Sequence, residues 1–181
     1  MKNNDGLMIV LLLIAFAIQR PATAEKHRSH PPEQLRFSAE DAGVKKPIPI
    51  PKDVLEILSR DELVRNVLQN QNIPVEKLPS SWFSASEIHL SGPSEKDLIV
   101  EASGPLAGGN VVTFWVFFMT PQGPRLVMMA HEHDLIVKSA YRKGHREIEL
   151  DSMTAGQIST VLCRFSGKQY VAYQEKTEPI K

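Results

Sequence analysis

The chain has 181 residues, of which 42% are hydrophobic and 23% charged, and its 21 Lys and Arg residues equal its 21 Asp and Glu residues. This length and composition are typical of one globular domain and leave no room for a second. The balanced charge gives no basic footprint for a phosphate backbone, so we predict no nucleic-acid partner.

The N-terminus has the pattern of a secretory signal peptide. An apolar run from Leu7 to Ile18 precedes the small residues Ala22-Thr23-Ala24. The run is shorter than the about 20 residues that a membrane-spanning helix needs, and small side chains suit a signal peptidase. We predict a signal peptide at residues 1–24, with a retained N-terminal anchor as the alternative. The mature protein is then secreted or periplasmic and has no membrane span.

The next segment, residues 25–51, has few apolar side chains and ends in the alternating prolines of Pro47-Ile48-Pro49-Ile50-Pro51. Alternating prolines favour extended polyproline conformation, and a segment with little apolar surface has little to bury. We therefore predict a disordered, proline-rich linker over 25–51.

Helical spacing begins at Lys52. Apolar residues recur at positions 54, 55, 57 and 58 and again at 63, 64, 67 and 68, with charges between them. This spacing predicts amphipathic helices over 52–71. Ser59 and Glu62 have the form of a capping box, which predicts a break or a bend near Ser59.

After Pro79 the pattern becomes that of β-strands separated by short turns rich in glycine and proline. Turns this short cannot contain crossover helices, so neighbouring strands should pair antiparallel. The most apolar stretch after Pro79, Val111–Met119, should be a central strand covered on both faces. The predicted strands are Phe83–Leu90, Asp97–Ala102, Val111–Met119, Arg125–His131, His133–Ala140, Arg146–Leu150, Ile158–Phe165 and Tyr170–Gln174.

These elements predict an α+β fold, in which a short N-terminal helical region packs on an antiparallel meander of about eight strands in a sandwich-like arrangement. The globular domain should span residues 52–176, with a tail at 177–181. A secreted domain with one cysteine has no internal disulfide, and the strand pattern places Cys163 among buried side chains.

The order of motifs in the β-rich half resembles a group of small exported bacterial proteins. In that group a tryptophan strand is followed by an Asn-Gly-Tyr-Arg-Asp-Ile turn and a Tyr-Arg-Phe-Asp-Gly-x-x-Tyr hairpin. The segments here that carry the resemblance are 114–117, 133–135, 143–148 and 163–170, and it covers roughly residues 52–174. It implies an exported protein with a β-rich fold and carries no secure activity.

The same group often has an oxygen-rich loop, similar to integrin-type calcium loops, before the tryptophan strand. The matching segment here is 89–97, and only Asp97 remains of the acidic pattern. A calcium ion requires six to eight oxygen ligands. We therefore expect a hairpin turn here rather than a calcium site.

Four histidines are the candidate metal ligands. His131 and His133 would project from one face of a strand and could share a zinc ion with His89 or His145 across the sheet. The alternative is that His131-Glu132-His133-Asp134 is a polar strand end or turn. A metal-binding protein or metal-dependent hydrolase is thus the second functional hypothesis.

The turn Tyr141–Arg146 is the one local cluster of basic and aromatic residues. Arg142 and Arg146 could grip a carboxylate, and Tyr141 offers a face for stacking. Trp82 is a second candidate contact, either as a surface anchor for a partner or as a core residue packed under the helices. A solvated hairpin tip is the alternative for the turn.

No motif for a nucleophilic serine, a phosphate-binding loop or a dinucleotide fold occurs in the sequence. We therefore predict no cofactor and favour a non-enzymatic binding or accessory domain of the bacterial cell envelope over an enzyme. Its partner would be a protein or an envelope glycan, and neither this partner nor the oligomeric state follows from the sequence.

Overall fold

The computed structural model describes residues 33–40 and 43–180. The predicted signal peptide at 1–24, and the N-terminal part of the predicted linker, lie outside these residues. Within the described ranges, none of the helices combines the length and the apolar character that crossing a lipid bilayer would require.

Two short helices occupy the predicted helical region, α1 at Lys52–Leu58 and α2 at Glu62–Asn70. The chain breaks between them, as predicted, but the capping box does not form. Asp61 is the N-cap of α2, and its carboxylate accepts hydrogen bonds from the first backbone N–H groups of that helix. The hydroxyl of Ser59 instead donates to the carbonyl of Glu56 at the end of α1. Asp is as good a cap as Ser, and its position one residue before Glu62 fits the start of α2.

Eight of the strands correspond to the eight predicted segments, and each pairs antiparallel with its neighbours. The antiparallel, β-rich character of the fold is therefore confirmed. The sequence locates the strands well because turns rich in glycine and proline separate them. The strands are β2 Phe83–Ile88, β3 Asp97–Ala102, β4 Val112–Thr120, β5 Gly123–Glu132, β6 Asp134–Arg142, β7 His145–Thr154, β8 Gln157–Phe165 and β9 Tyr170–Pro179.

The strands form two sheets instead of one continuous meander. A four-stranded sheet has the order β2-β3-β4-β5, and a five-stranded sheet has the order β1-β6-β7-β8-β9, with β1 at Arg36–Ser38. The chain passes from the first sheet to the second at His133, between β5 and β6. The indole of Trp115 on β4 donates to the carboxylate of Asp61 (3.0 Å), which ties the start of α2 to the four-stranded sheet.

Strand β1 is a difference from the linker predicted for 25–51. It pairs antiparallel with β6, and the side chain of Phe37 is fully buried. Further along, Ile48 forms an isolated bridge to Ala85 on β2. The apolar residues of this segment are few, but they are placed where a sheet edge can cover them. The folded unit therefore begins before residue 52.

The core confirms the position of the tryptophan strand. All residues of β4 from Val112 to Phe118 are buried, and the strand lies between β3 and β5. Phe83 packs edge-to-face against Trp115, with ring centroids 5.7 Å apart. A strand that is covered on both faces needs apolar residues at every position, which is the pattern that the sequence has here.

Candidate functional site

Two hairpin turns lie side by side at one end of the five-stranded sheet. The first, at Lys143 and Gly144, joins β6 to β7, and both residues have positive φ angles (51° and 82°). The second, at 166–169, joins β8 to β9. Because β7 and β8 are antiparallel neighbours, the start of β7 lies beside the end of β8. The two turns therefore project in the same direction.

Between these turns lies a cavity of about 720 Å³, which we call the basic cleft. Four of its lining side chains are cationic, and Glu147 is the one acidic residue among the described residues that line it. Such a lining attracts anions. The lining residues are Arg142, Lys143, His145, Arg146, Glu147, Arg164, Phe165, Ser166, Gly167 and Val171.

Aromatic rings pack beneath one wall of the basic cleft. His145 stacks on Phe165, with centroids 4.5 Å apart, and Phe118 lies 4.9 Å from Phe165. The guanidinium of Arg125 lies 5.6 Å from the Phe165 centroid, within the range of a cation–π contact. Stacking fixes the ring of His145 in this cluster, so the wall has a defined shape.

Glu147 organises two of the cations. It accepts a hydrogen bond from Arg142 (3.0 Å) and another from the hydroxyl of Tyr173 (3.1 Å). The guanidinium of Arg164 lies over the ring of Tyr173, 4.9 Å from its centroid. The side chain of Arg142 is nevertheless 63% exposed. Both arginines are therefore oriented by neighbours while remaining open to solvent.

Arg146 is held much more firmly than Arg142. Its side chain is only 13% exposed and donates to Glu33 Oε2 at 2.5 Å. Its guanidinium also lies over the ring of Tyr141, 5.0 Å from the centroid. The hydroxyl of Tyr141 donates in turn to the carbonyl of His89 (2.9 Å). The three residues predicted as one contact surface are therefore separated in the structure. Arg142 and Arg146 line the basic cleft, whereas Tyr141 contacts the chain before β3.

Glu33 and Arg164 are the two site residues that the sequence analysis missed, and Glu33 is the less expected of them. Its Oε1 accepts hydrogen bonds from the backbone N–H of His89 (2.6 Å) and lies 2.8 Å from His89 Nδ1. Burial alone would raise the pKa of Glu33, but hydrogen bonds from Arg146 and His89 outweigh it and hold the pKa below its ordinary value. Glu33 lies within the predicted linker and 113 residues from Arg146, so no local signal marks it.

Trp82 belongs to the core. Its side chain is 6% exposed and lies in the cluster that contains the buried residues of both helices. This burial leaves almost no surface for a partner, so Trp82 offers no anchor in this structure.

The four candidate metal ligands have different neighbours. Thr113 Oγ1 lies 2.8 Å from the Nδ1 atom of the exposed His131, and His133 is buried with its Nδ1 3.2 Å from Asp134 Oδ1. His89 contacts Glu33, and His145 stacks on Phe165. Among residues 33–40 and 43–180, no three His, Cys, Asp or Glu side chains are grouped so that they could hold a metal ion.

The loop at 89–97, for which the sequence predicts a hairpin turn rather than a calcium site, is organised by Asp97. This fully buried carboxylate accepts hydrogen bonds from the backbone N–H groups of Leu90, Ser91 and Met119 and from the hydroxyl of Ser91. The carboxylate thereby closes the turn between β2 and β3, as a structural residue would.

Cys163 is 4% exposed, which agrees with the buried position predicted for it. Burial raises the pKa of its thiol, with a smaller contribution from Glu132. A thiol in this environment is a poor nucleophile.

Comparison of the chain with protein-family models, with curated proteins and with solved structures found no match in any of the three.

Proposed function

We propose that this protein is a non-enzymatic binding domain, exported to the bacterial cell envelope or beyond it, which recognises an acidic peptide segment of a protein partner in the basic cleft. The observation that carries the proposal is the convergence of Arg142, Lys143, Arg146 and Arg164 on one cavity. Carboxylates are the natural partners of such a group, because guanidinium ions bind them with charge-assisted hydrogen bonds.

Two features support a peptide rather than an anionic glycan as the ligand. First, Arg146 at the wall of the cleft already binds the side chain of a glutamate, Glu33. Second, β9 is the last of the described strands in its sheet, so one edge of it has no neighbour in that part of the chain. An extended peptide can add to such an edge through backbone hydrogen bonds. Val171 of β9 lines the cleft, which places this edge beside the cations.

Arg164 should contribute most of the binding energy. It pairs across the strands with Val171, and its guanidinium is already placed over Tyr173. An arginine that is oriented before the ligand arrives loses less side-chain entropy on binding. Arg142, in contrast, must share its charge between Glu147 and the ligand.

The proposal is tested by fluorescence anisotropy with a fluorescein-labelled oligoglutamate peptide at low ionic strength. We expect Arg164→Ala to weaken the affinity at least about tenfold, because a central arginine contact carries about 2 kcal/mol or more. Arg65→Ala is the matched control, since Arg65 is an exposed arginine on α2 and does not line the cleft. It should bind like the wild type. Added salt should weaken binding to the wild type.

If Arg164→Ala and Arg65→Ala weaken the affinity for the peptide equally, the peptide is attracted only by the net charge of the protein, and the cleft is not its binding site. If an oligogalacturonate binds more tightly than the oligoglutamate peptide, the ligand of the cleft is an anionic glycan and not a peptide. Either outcome overturns the proposal as stated.

A further inference from the structure

We infer that Arg146 and His89 form a carboxylate-binding site that Glu33 fills from within the chain, and that an acidic ligand in the basic cleft competes with Glu33 for Arg146. The existence of the site stands on the contacts of Glu33 alone. The competition rests on the function proposed above.

The contacts of Glu33 are those of a bound ligand. One carboxylate oxygen accepts a hydrogen bond from Arg146 Nη1, and the other accepts one from the backbone N–H of His89 and lies 2.8 Å from the Nδ1 atom of the same residue. The carboxylate therefore has a cation on one side and a fixed backbone donor on the other. A free carboxylate of similar size could make the same contacts.

One donor of the site has no acceptor in the described part of the chain. Arg146 Nε is buried and has no hydrogen-bond partner among the described residues. A buried N–H without a partner is costly, and it marks a position where another acceptor would be favourable. Because Arg146 also lines the basic cleft, an acidic ligand there lies beside the guanidinium that Glu33 occupies, and the two carboxylates would compete for it.

Glu33 can leave without unfolding the domain. The segment that carries it is anchored further along, where β1 pairs with β6 and Phe37 is fully buried. The first backbone contact of the anchored part is the hydrogen bond from Val137 N–H to the carbonyl of Leu35 (2.7 Å). Release of Glu33 therefore breaks its own contacts and leaves the strand pairing in place.

The existence of the site is tested by chemical rescue. We expect propionate, which has the size of a glutamate side-chain end, to raise the melting temperature of Glu33→Ala in a saturable way. Propionamide, which lacks the charge, and sodium chloride at matched ionic strength are the controls. The double variant Glu33→Ala/Arg146→Ala should show no saturable rise. If the single variant folds only when propionate is present, the site is supported by the same reasoning.

The absence of a saturable rise in Glu33→Ala, or an equal rise in the double variant, would overturn the site. The competition is tested separately with Glu33→Gln, which keeps the size of the side chain and removes its charge. We expect this variant to bind the oligoglutamate peptide at least about fivefold more tightly than the wild type, the lower end of typical coupling between two ligands.

Unchanged affinity in Glu33→Gln would overturn the competition. If neither the wild type nor Glu33→Gln binds the peptide while propionate still rescues Glu33→Ala, the proposed function and the competition fail, and the carboxylate site stands.

Discussion

At the scale of single residues, the two arginines of the β6–β7 hairpin have different roles although they lie four positions apart. Arg142 is 63% exposed and pairs with Glu147 near the surface, whereas Arg146 is 13% exposed and pairs with the half-buried Glu33. Exposed ion pairs contribute little to stability, but removing one partner of a buried pair leaves a charge without compensation.

We therefore expect Arg146→Ala to lower the free energy of unfolding by about 2 kcal/mol and Arg142→Ala to lower it by less than about 0.5 kcal/mol. Urea denaturation of the two variants measures the difference in the free energy of unfolding. The comparison is matched, because each variant replaces one arginine of the same hairpin by alanine. Equal losses would show that the contact with Glu33 does not stabilise the domain.

The sequence could predict part of this site. Arg142 and Arg146 are found because five basic or aromatic residues crowd one short turn between two strand patterns. Arg164 and Glu33 are missed because their roles depend on strand pairing and on contacts between segments far apart in the chain. The spacing of residues within a short stretch of sequence does not identify a contact with a residue far away in the chain.

At the scale of elements, strand β1 is the described strand that the sequence pattern does not predict. The eight longer strands are predicted because alternation and turn residues give a strong signal over many positions. Strand β1 has three residues, Arg36–Ser38, and precedes the alternating prolines at 47–51. Its conformation is set by pairing with β6, which lies about 100 residues later in the chain, and its central residue Phe37 is fully buried. No window of local sequence contains that information.

The stability of the domain should depend on pH through Glu33, which lies just before β1. Its pKa is lowered in the folded protein from 4.5, so its contribution to stability is present above 4.5 and is lost as the pH falls through the lowered value. We expect Glu33→Gln to be less stable than the wild type near neutral pH, and this gap to narrow on acidification. Urea denaturation at about pH 6 and about pH 3 measures the gap. A gap that stays constant would show that the charge of Glu33 contributes nothing.

At the scale of the whole molecule, stability must come from apolar burial, because the chain has one cysteine and that cysteine is free. The core extends from Phe37 at the N-terminal side to Tyr170 at the start of β9, and it includes residues of both helices and both sheets. In contrast, nine of the ten residues of β9 lie outside the core, and most are exposed. The polar surface of the five-stranded sheet, with the two hairpin turns that flank the basic cleft, is thus the part of the described chain where substitutions should disturb the fold least.

If the protein is exported, cleavage of its signal peptide sets the first residue of the mature chain. The apolar run from Leu7 to Ile18 would enter the export machinery, and Ala22-Thr23-Ala24 would place small side chains at the cleavage site. We expect a protein expressed with its own N-terminus to be recovered outside the cytoplasm as a chain that begins at Glu25. N-terminal sequencing of the exported fraction measures this, and Ala24→Lys, which places a long cation at the cleavage site, is the control that should accumulate uncleaved. A wild-type chain that retains Met1 and stays in the cytoplasm would contradict export, and the search for a partner would then move to cytoplasmic proteins with acidic segments.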